Sequence, residues 1–369
     1  MVRYPLLHRL VLREFALPFI FSIVSLSFLF LFAKLFSYLQ LLLIAGITPL
    51  EFVRFTLLLI PMFLAVLVPI SVMIGVLVAF IRLSQDCEAI ALFSCGIGPK
   101  QILYPLGLIA IGAMISCLFI YATVVPYAKR QIRMFKNEIT EKGFMRGLPE
   151  KHFFSPQPNF TFYINSSYKK GRKFKGIFIR DSRDPDLTYY ILARKGHLSI
   201  EPSAKQVVLN LFDGKLVRIS EDFSELDRIS FKRYLLSLAS KEGRKGLRKG
   251  EMSIAQLWAA IHDRKTDEKH RRKYAIELNK RFGIPFGALV ITFLSAPLGI
   301  FFGRTGMAAG VFAGVASFLA YYMAIIAGSS LAMNGIIAPA LGIWIPNVLF
   351  AAATFWLFGQ LVKRGPNWG

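Results

Sequence analysis

From residue 305 to residue 362 the chain carries no charged side chain. At about 1.5 Å per residue this far exceeds the roughly 20 residues a helix needs to cross about 30 Å of hydrocarbon, so the stretch reads as two membrane-spanning helices. The turn between them falls at Asn334-Gly335, a pair suited to chain reversal. Four further uncharged runs have spanning length: residues 15–33, 55–80, 101–128 and 282–303. The first continues as an apolar pattern past Lys34 to residue 45, and Gly46, Thr48 and Pro49 then mark a turn. Pro61 and Pro69 in the second run are tolerated where neighbouring helices satisfy the freed carbonyls. A composition of 54% hydrophobic residues, with a mean hydropathy of +0.50, excludes an ordinary soluble chain. Arg3, Arg9 and Arg13 before the first run imitate the basic start of a signal peptide. The apolar stretch is too long for one and no small-residue cleavage pattern follows, so a retained transmembrane helix is expected.

Charge is concentrated between the third and fourth runs. Residues 129–281 hold 35 of the 45 basic and 18 of the 22 acidic side chains, which is +17 of the net +23. Within this block, short segments rich in β-branched and aromatic residues recur between turn signals: 160–164, 174–179, 188–192, 207–211, 216–219 and 229–235. Such spacing predicts an antiparallel sandwich or jelly roll. From Ser253 the pattern becomes helical, with Ser253 and Gln256 placed as a capping box ahead of Leu257, Ala260 and Ile261.

The expected architecture is therefore a polytopic α-helical membrane protein of six transmembrane helices, three plus three, with an inserted extracytoplasmic all-β, jelly-roll-like domain. Residues 1–128 would hold helices one to three, including a cytoplasmic loop helix at about 82–100. Residues 129–272 would form the β-domain with a helical connector, and residues 273–369 helices four to six. Short loops orient the bundle by the positive-inside rule. With the N-terminus inside, Arg3, Arg9, Arg13, Arg82, Lys100, Arg304, Lys363 and Arg364 are internal and Arg54 alone lies in a short external loop. Both termini are then cytoplasmic, and the long basic block is exported, since long domains translocate largely regardless of charge.

Several chemistries find no support. A nucleotide-hydrolysing chain needs a glycine-rich loop with Gly-Lys-Ser/Thr, and Gly171-Arg172-Lys173 and Gly246-Leu247-Arg248-Lys249-Gly250 lack its spacing. Cys87, Cys95 and Cys117 lie in or beside apolar stretches, so neither a disulfide framework nor a zinc site is indicated. His8, His152, His197, His262 and His270 are scattered through polar segments, and no catalytic residue, metal site or cofactor of the chain's own is expected. Basic runs such as Lys169-Lys170-Gly171-Arg172-Lys173 read as solvated faces, because an exported block is a poor partner for nucleic acid; an anionic amphiphile at the outer membrane surface is the physical alternative.

Ionisable residues at the edges of spans are the binding candidates, since a charge in hydrocarbon is costly without a partner. Lys34 lies 19 residues after Phe15, about 28 Å along a helix and near the outer boundary of the hydrocarbon. It either snorkels to the headgroups or faces a cavity and meets a lipid phosphate. Lys129, Arg130 and Arg133 follow the third run, Arg130 and Arg133 three apart and so on one helical face, as anchors or as a ring of contacts for a phosphorylated headgroup. The loop at 82–100 is amphipathic, with Asp86, Glu88 and Leu92 before the stop signals Gly96 and Pro99, and suits either the membrane interface or the groove of a soluble partner.

Four stretches resemble the lipopolysaccharide-export permeases of the LptF/LptG type from Gram-negative bacteria: Val2-Arg3-Tyr4 through Val11-Leu12-Arg13-Glu14; residues 83–96 with Glu88-Ala89-Ile90 and Cys95-Gly96; Glu277-Leu278-Asn279-Lys280-Arg281; and Ala296-Pro297-Leu298 before Arg304. The start looks more like the F-type than the G-type. The resemblance implies an inner-membrane permease subunit that pairs with a second such permease, a dimeric cytoplasmic ATPase that binds the ATP, and a single-span periplasmic jelly-roll protein. It makes residues 82–100 the coupling helix, with Glu88 transmitting ATPase closure, and matches Lys34, Arg130 and Arg133 to positions that contact lipopolysaccharide. Where relatives carry a second basic residue one turn after the lysine, this chain has Ser37. Two alternatives stand beside this reading: an ABC-type permease for another lipid or lipoprotein, and a non-transporting envelope scaffold.

Overall fold

The computed structural model describes residues 5–45, 48–86, 88, 91, 94, 99–146, 150–157, 159–168, 173–182, 187–201, 206–220, 226–237, 247–263, 266–303 and 305–364. Among the described residues, six helices are long and apolar enough to cross a membrane. Helix α1 spans Pro5–Ala45 and α2 spans Pro49–Gln85. A capping box starts α2: the Thr48 N–H donates to Glu51 Oε2 (2.8 Å) and the Glu51 N–H to Thr48 Oγ1 (3.3 Å). Helix α3, Pro99–Phe119, passes through a π-helical turn, Ile120–Val124, into α4, Val125–Arg146. The third rod thus outruns its expected end at residue 128, because a helix continues into polar sequence where its backbone bonds need no hydrocarbon around them. Helix α5 is Ile254–His262, α6 Glu268–Phe302, α7 Met307–Met333 and α8 Pro339–Arg364. The expected turn stands between α7 and α8, with Gly335 at φ +80°. The expected cap of α5 also forms, Ser253 Oγ accepting from the Gln256 N–H (3.2 Å) while Gln256 Oε1 accepts from the Ser253 N–H (2.9 Å).

The chain divides into two compact units, one of residues Met1–Ala33, Leu57–Gln131 and Leu247–Gly369, the other of Lys34–Thr56 and Ile132–Gly246. In the first, α2 and α6 are the most enclosed spans and α1 is the least enclosed. Small residues let the helices close up: a Cβ on Gly299 of α6 would stand 2.8 Å from the Leu77 carbonyl oxygen of α2. Inside hydrocarbon a polar side chain needs an internal partner. The buried Tyr321 hydroxyl of α7 donates to Asn347 Oδ1 of α8 (3.1 Å), and Asn347 Nδ2 donates to the Ile343 carbonyl (3.0 Å).

The second unit carries a six-stranded antiparallel sheet: β1 Phe153–Gln157, β2 Phe160–Tyr168, β3 Lys173–Asp181, β4 Leu187–Glu201, β5 Gln206–Ser220 and β6 Leu226–Ser237. The strands pair strictly in chain order in one sheet, so the expected inserted antiparallel β-domain is a meander, without the Greek-key connections of a jelly roll. The two segments expected at 207–211 and 216–219 merge into the single strand β5, and β1 is a further strand beyond those expected; Pro156 sits in it at the sheet edge, where its missing N–H costs nothing.

One row explains how a single sheet buries a core. The ladder skips a residue in every strand along Asn165, Gly176, Arg194, Asp213 and Lys232, between the pairs Ile164↔Ile177, Ile177↔Ala193, Ala193↔Gly214 and Gly214↔Phe231 on one side and Ser166↔Lys175, Lys175↔Lys195, Lys195↔Phe212 and Phe212↔Arg233 on the other. Gly176 and Asp213 adopt φ of +64° and +51° there, and the five side positions are exposed. Inward-pointing residues resume three positions along instead of two: Ile177 and Ala193 before the row, Phe174 and Gly196 after it. The sheet is creased along this line, so both halves present apolar faces to one core of Phe160, Phe162, Ile164, Ile179, Leu209, Leu211 and their neighbours. Ile177 reaches across the crease to lie over Gly196, where a Cβ would meet Ile177 Cδ1 at 2.5 Å.

Candidate functional site

Lys34 lies on α1, half-buried, one turn after Phe30, which is 44% exposed. Beside it α1 shows an apolar stripe at helical spacing: Leu17, Phe21, Val24, Phe28, Phe32 and Phe36 are all 60% exposed or more. Aromatic and branched apolar groups followed by an ammonium are complementary to an amphiphile with acyl chains and an anionic head. The Ser37 side chain lies outside the described residues.

Arg130 and Arg133 are neighbours on one face of α4, Arg130 exposed and Arg133 half-buried. Arg133 belongs with Lys34 to the second unit, and Arg130 to the first. Within the second unit the buried rings of Phe55 in α2 and Phe135 in α4 stack at 5.3 Å, fixing the start of α2 against α4. Arg54 is exposed directly before Phe55. Sequence reasoning used it only to orient the bundle; its signal was a lone cation at the edge of an uncharged run, the signal that singled out Lys34.

At the opposite end of α2, Asp86 is exposed and its N–H donates to the Arg82 carbonyl (2.9 Å), closing the helix. Glu88, Ala91 and Ser94 are helical and exposed, spaced three apart along one stripe. Leu92 lies outside the described residues. Two contacts tie this end into the bundle. Arg82 pairs with Glu14 of α1 (3.5 Å), and Ser84 Oγ donates to the Ile300 carbonyl of α6 (3.3 Å). Both links join this end of α2 to other helices, and the sequence did not reveal them because each partner lies on a different helix.

Among the described residues no group of His, Cys, Asp or Glu is arranged to hold a metal ion. Cys117 is buried. Six spanning helices in two sets of three, with an antiparallel sheet between them, define a polytopic α-helical membrane protein with an inserted β-domain. Residues 9–360 match the family described as Lipopolysaccharide export system permease LptF/LptG, and the chain belongs to that family. The match covers F-type and G-type members alike. The chain is also 25% identical over 225 residues to an uncharacterized protein of Rickettsia prowazekii (strain Madrid E), an alignment that covers 59% of this chain and 61% of that relative.

Proposed function

We propose that the chain is the transmembrane permease subunit of an ABC-type complex that extracts lipopolysaccharide from the outer leaflet of the inner membrane and passes it to a periplasmic bridge. The observation that carries this reading is the exposed apolar stripe of α1 with Lys34 beside it, in a chain of the export-permease family. The acyl chains lie against Phe21, Phe28, Phe32 and Phe36, and Lys34, Arg130 and Arg133 each offer a cation to a phosphate. A second permease of the same type closes the cavity from the other side. Hydrolysis of ATP takes place on a separate dimeric cytoplasmic subunit, which seats the Asp86–Glu88 stripe in a groove; both termini are cytoplasmic and the β-domain is periplasmic. Closure below draws on Arg82–Glu14 and Ser84–Ile300 and narrows the cavity. The lipid is driven toward the β-domain, whose apolar interior, shared with a single-span jelly-roll protein, shields the acyl chains from water.

The test places a photo-crosslinking amino acid along α1 and along β3–β5 in the assembled complex and asks for captured lipopolysaccharide with and without ATP. Capture near Lys34 without ATP, and in the sheet only with ATP, is the expected result. A complex with active ATPase that captures the lipid at neither place overturns the export reading and leaves the scaffold.

A further inference from the structure

A second basic cluster stands in the helical unit around Arg281. Arg281, at the start of the uncharged run of α6, is only 1% exposed. Its Nη2 donates to the Met252 carbonyl (2.6 Å), while Nε and Nη1 are buried and have no hydrogen-bond partner. Met252 directly follows the short helical turn Lys249–Glu251, so the guanidinium is pinned at the end of that turn with donors unspent. Lys280, half-buried beside it, lies within electrostatic range of Lys249 and Lys129, with Glu277 as an opposite charge. Lys129 comes from α4 and lays its ammonium on Gly250, where a Cβ would stand 2.9 Å from Nζ. Glycine at this point is what lets the ammonium reach the turn. Three elements distant in sequence thus bring Lys129, Lys249 and Lys280 together beside the turn that Arg281 holds at Met252, and Glu251, the other acid there, is engaged with the turn's own Arg248 N–H (3.3 Å).

Gathered like charges repel, and a buried guanidinium with two of its nitrogens unpaired carries a desolvation cost; an anion with several oxygens relieves both. A planar guanidinium fork with ammonium groups beside it suits tetrahedral phosphate, whose oxygens accept from several directions at once. The uncharged runs end at residue 128 and begin at residue 282, so Lys129 and Arg281 flank hydrocarbon at the same boundary. We propose that Lys129, Lys249, Lys280 and Arg281 form a binding site for a phosphate-type anion, offered as the headgroup of a phosphorylated lipid or as the free ion. The lipid source rests on the export reading above; the anion chemistry does not.

Arg281→Gln is the direct variant but removes a buried group, so the informative protein is the double variant Lys129→Gln, Lys280→Gln, with exposed Lys269→Gln as the control. The full chain in phosphatidylcholine nanodiscs is titrated with bis-phosphorylated lipid A, with its dephosphorylated form, and with inorganic phosphate. The double variant is expected to lose affinity for every phosphate-bearing probe by about tenfold or more, at an unchanged melting midpoint, while binding of dephosphorylated lipid A stays the same. Inorganic phosphate that displaces the phosphorylated lipid supports recognition of the free ion; phosphorylated lipid that binds undisplaced supports the headgroup. A double variant that binds every phosphate-bearing probe as tightly as the unmodified chain overturns the site. Loss of phosphate binding in the double variant, with no lipopolysaccharide export by the unmodified complex, would instead sustain the site and sink the export reading.

Discussion

The crease of the sheet makes a quantitative prediction at Gly196. A Cβ there would lie 2.5 Å from Ile177 Cδ1, 3.2 Å from the Asn210 carbonyl oxygen and 3.3 Å from Leu211 Cδ2. Carbon atoms in contact prefer about 3.5–4.0 Å, so Gly196→Ala forces a displacement of roughly 1 Å on a side chain that has nowhere to go. Ile177 is 2% exposed. Overpacking of this kind costs about 1–3 kcal/mol. Ile177→Val removes the obstructing Cδ1 and by itself costs about 0.5–1.5 kcal/mol. Combined, the two substitutions should couple by about 1 kcal/mol or more, the alanine being better tolerated where the methyl is gone. The assay is amide hydrogen exchange of the full-length chain in nanodiscs, read as the opening free energy of β3, β4 and β5 in each corner of the cycle. Costs that add within about 0.5 kcal/mol would show that Ile177 does not lie over Gly196, and the crease would be wrong.

Gly176→Ala places a β-carbon on a residue at φ +64° and 2.9 Å from Asn165 Cβ, and should destabilise the sheet by about 1–2 kcal/mol in the same exchange measurement. Tyr321→Phe deprives the buried Asn347 Oδ1 of its donor and should cost about 1 kcal/mol in a detergent unfolding titration; in an Asn347→Ala background the cost should shrink, and an equal cost in both would refute the bond. The Glu150 carboxylate accepts from the Ser167 hydroxyl (2.6 Å) and the Ser167 N–H (2.8 Å), which hold it below the ordinary carboxylate range. Its contribution is therefore complete above the ordinary carboxylate value and is lost as the pH falls through the lower folded one. Exchange of the Ser167 amide should accelerate, relative to its intrinsic rate, only in that acid window, and Glu150→Gln should abolish the dependence.

The six spans were legible because hydrocarbon tolerates so few charges that their absence over 20 residues is nearly sufficient evidence of a span. The Ser253 and Asn334-Gly335 signals were legible for a local reason, since each acts within four residues of itself. The crease was not. Asp213-Gly214 carries the composition of a turn, and only the register with Gly176 and Arg194 shows it as a bend inside a continuous strand. The end of the third rod was missed because its last five turns are charged and give no hydropathy signal. Among site residues, Lys34, Arg130, Arg133, Asp86 and Glu88 stood out as charges bordering apolar sequence. Arg281 also borders such a run, yet its significance lies in Met252, Lys249 and Lys129, which the fold alone brings near.

Strict nearest-neighbour pairing of the six strands has a kinetic consequence. Every ladder joins segments consecutive in the chain, so the contact order of the sheet is low for an all-β structure and no strand waits for a distant partner. The β-domain can assemble hairpin by hairpin in the order in which its strands become available, each new strand capping the edge left by the last. Unpaired edges are thereby short-lived, which limits the aggregation to which exposed strands are prone.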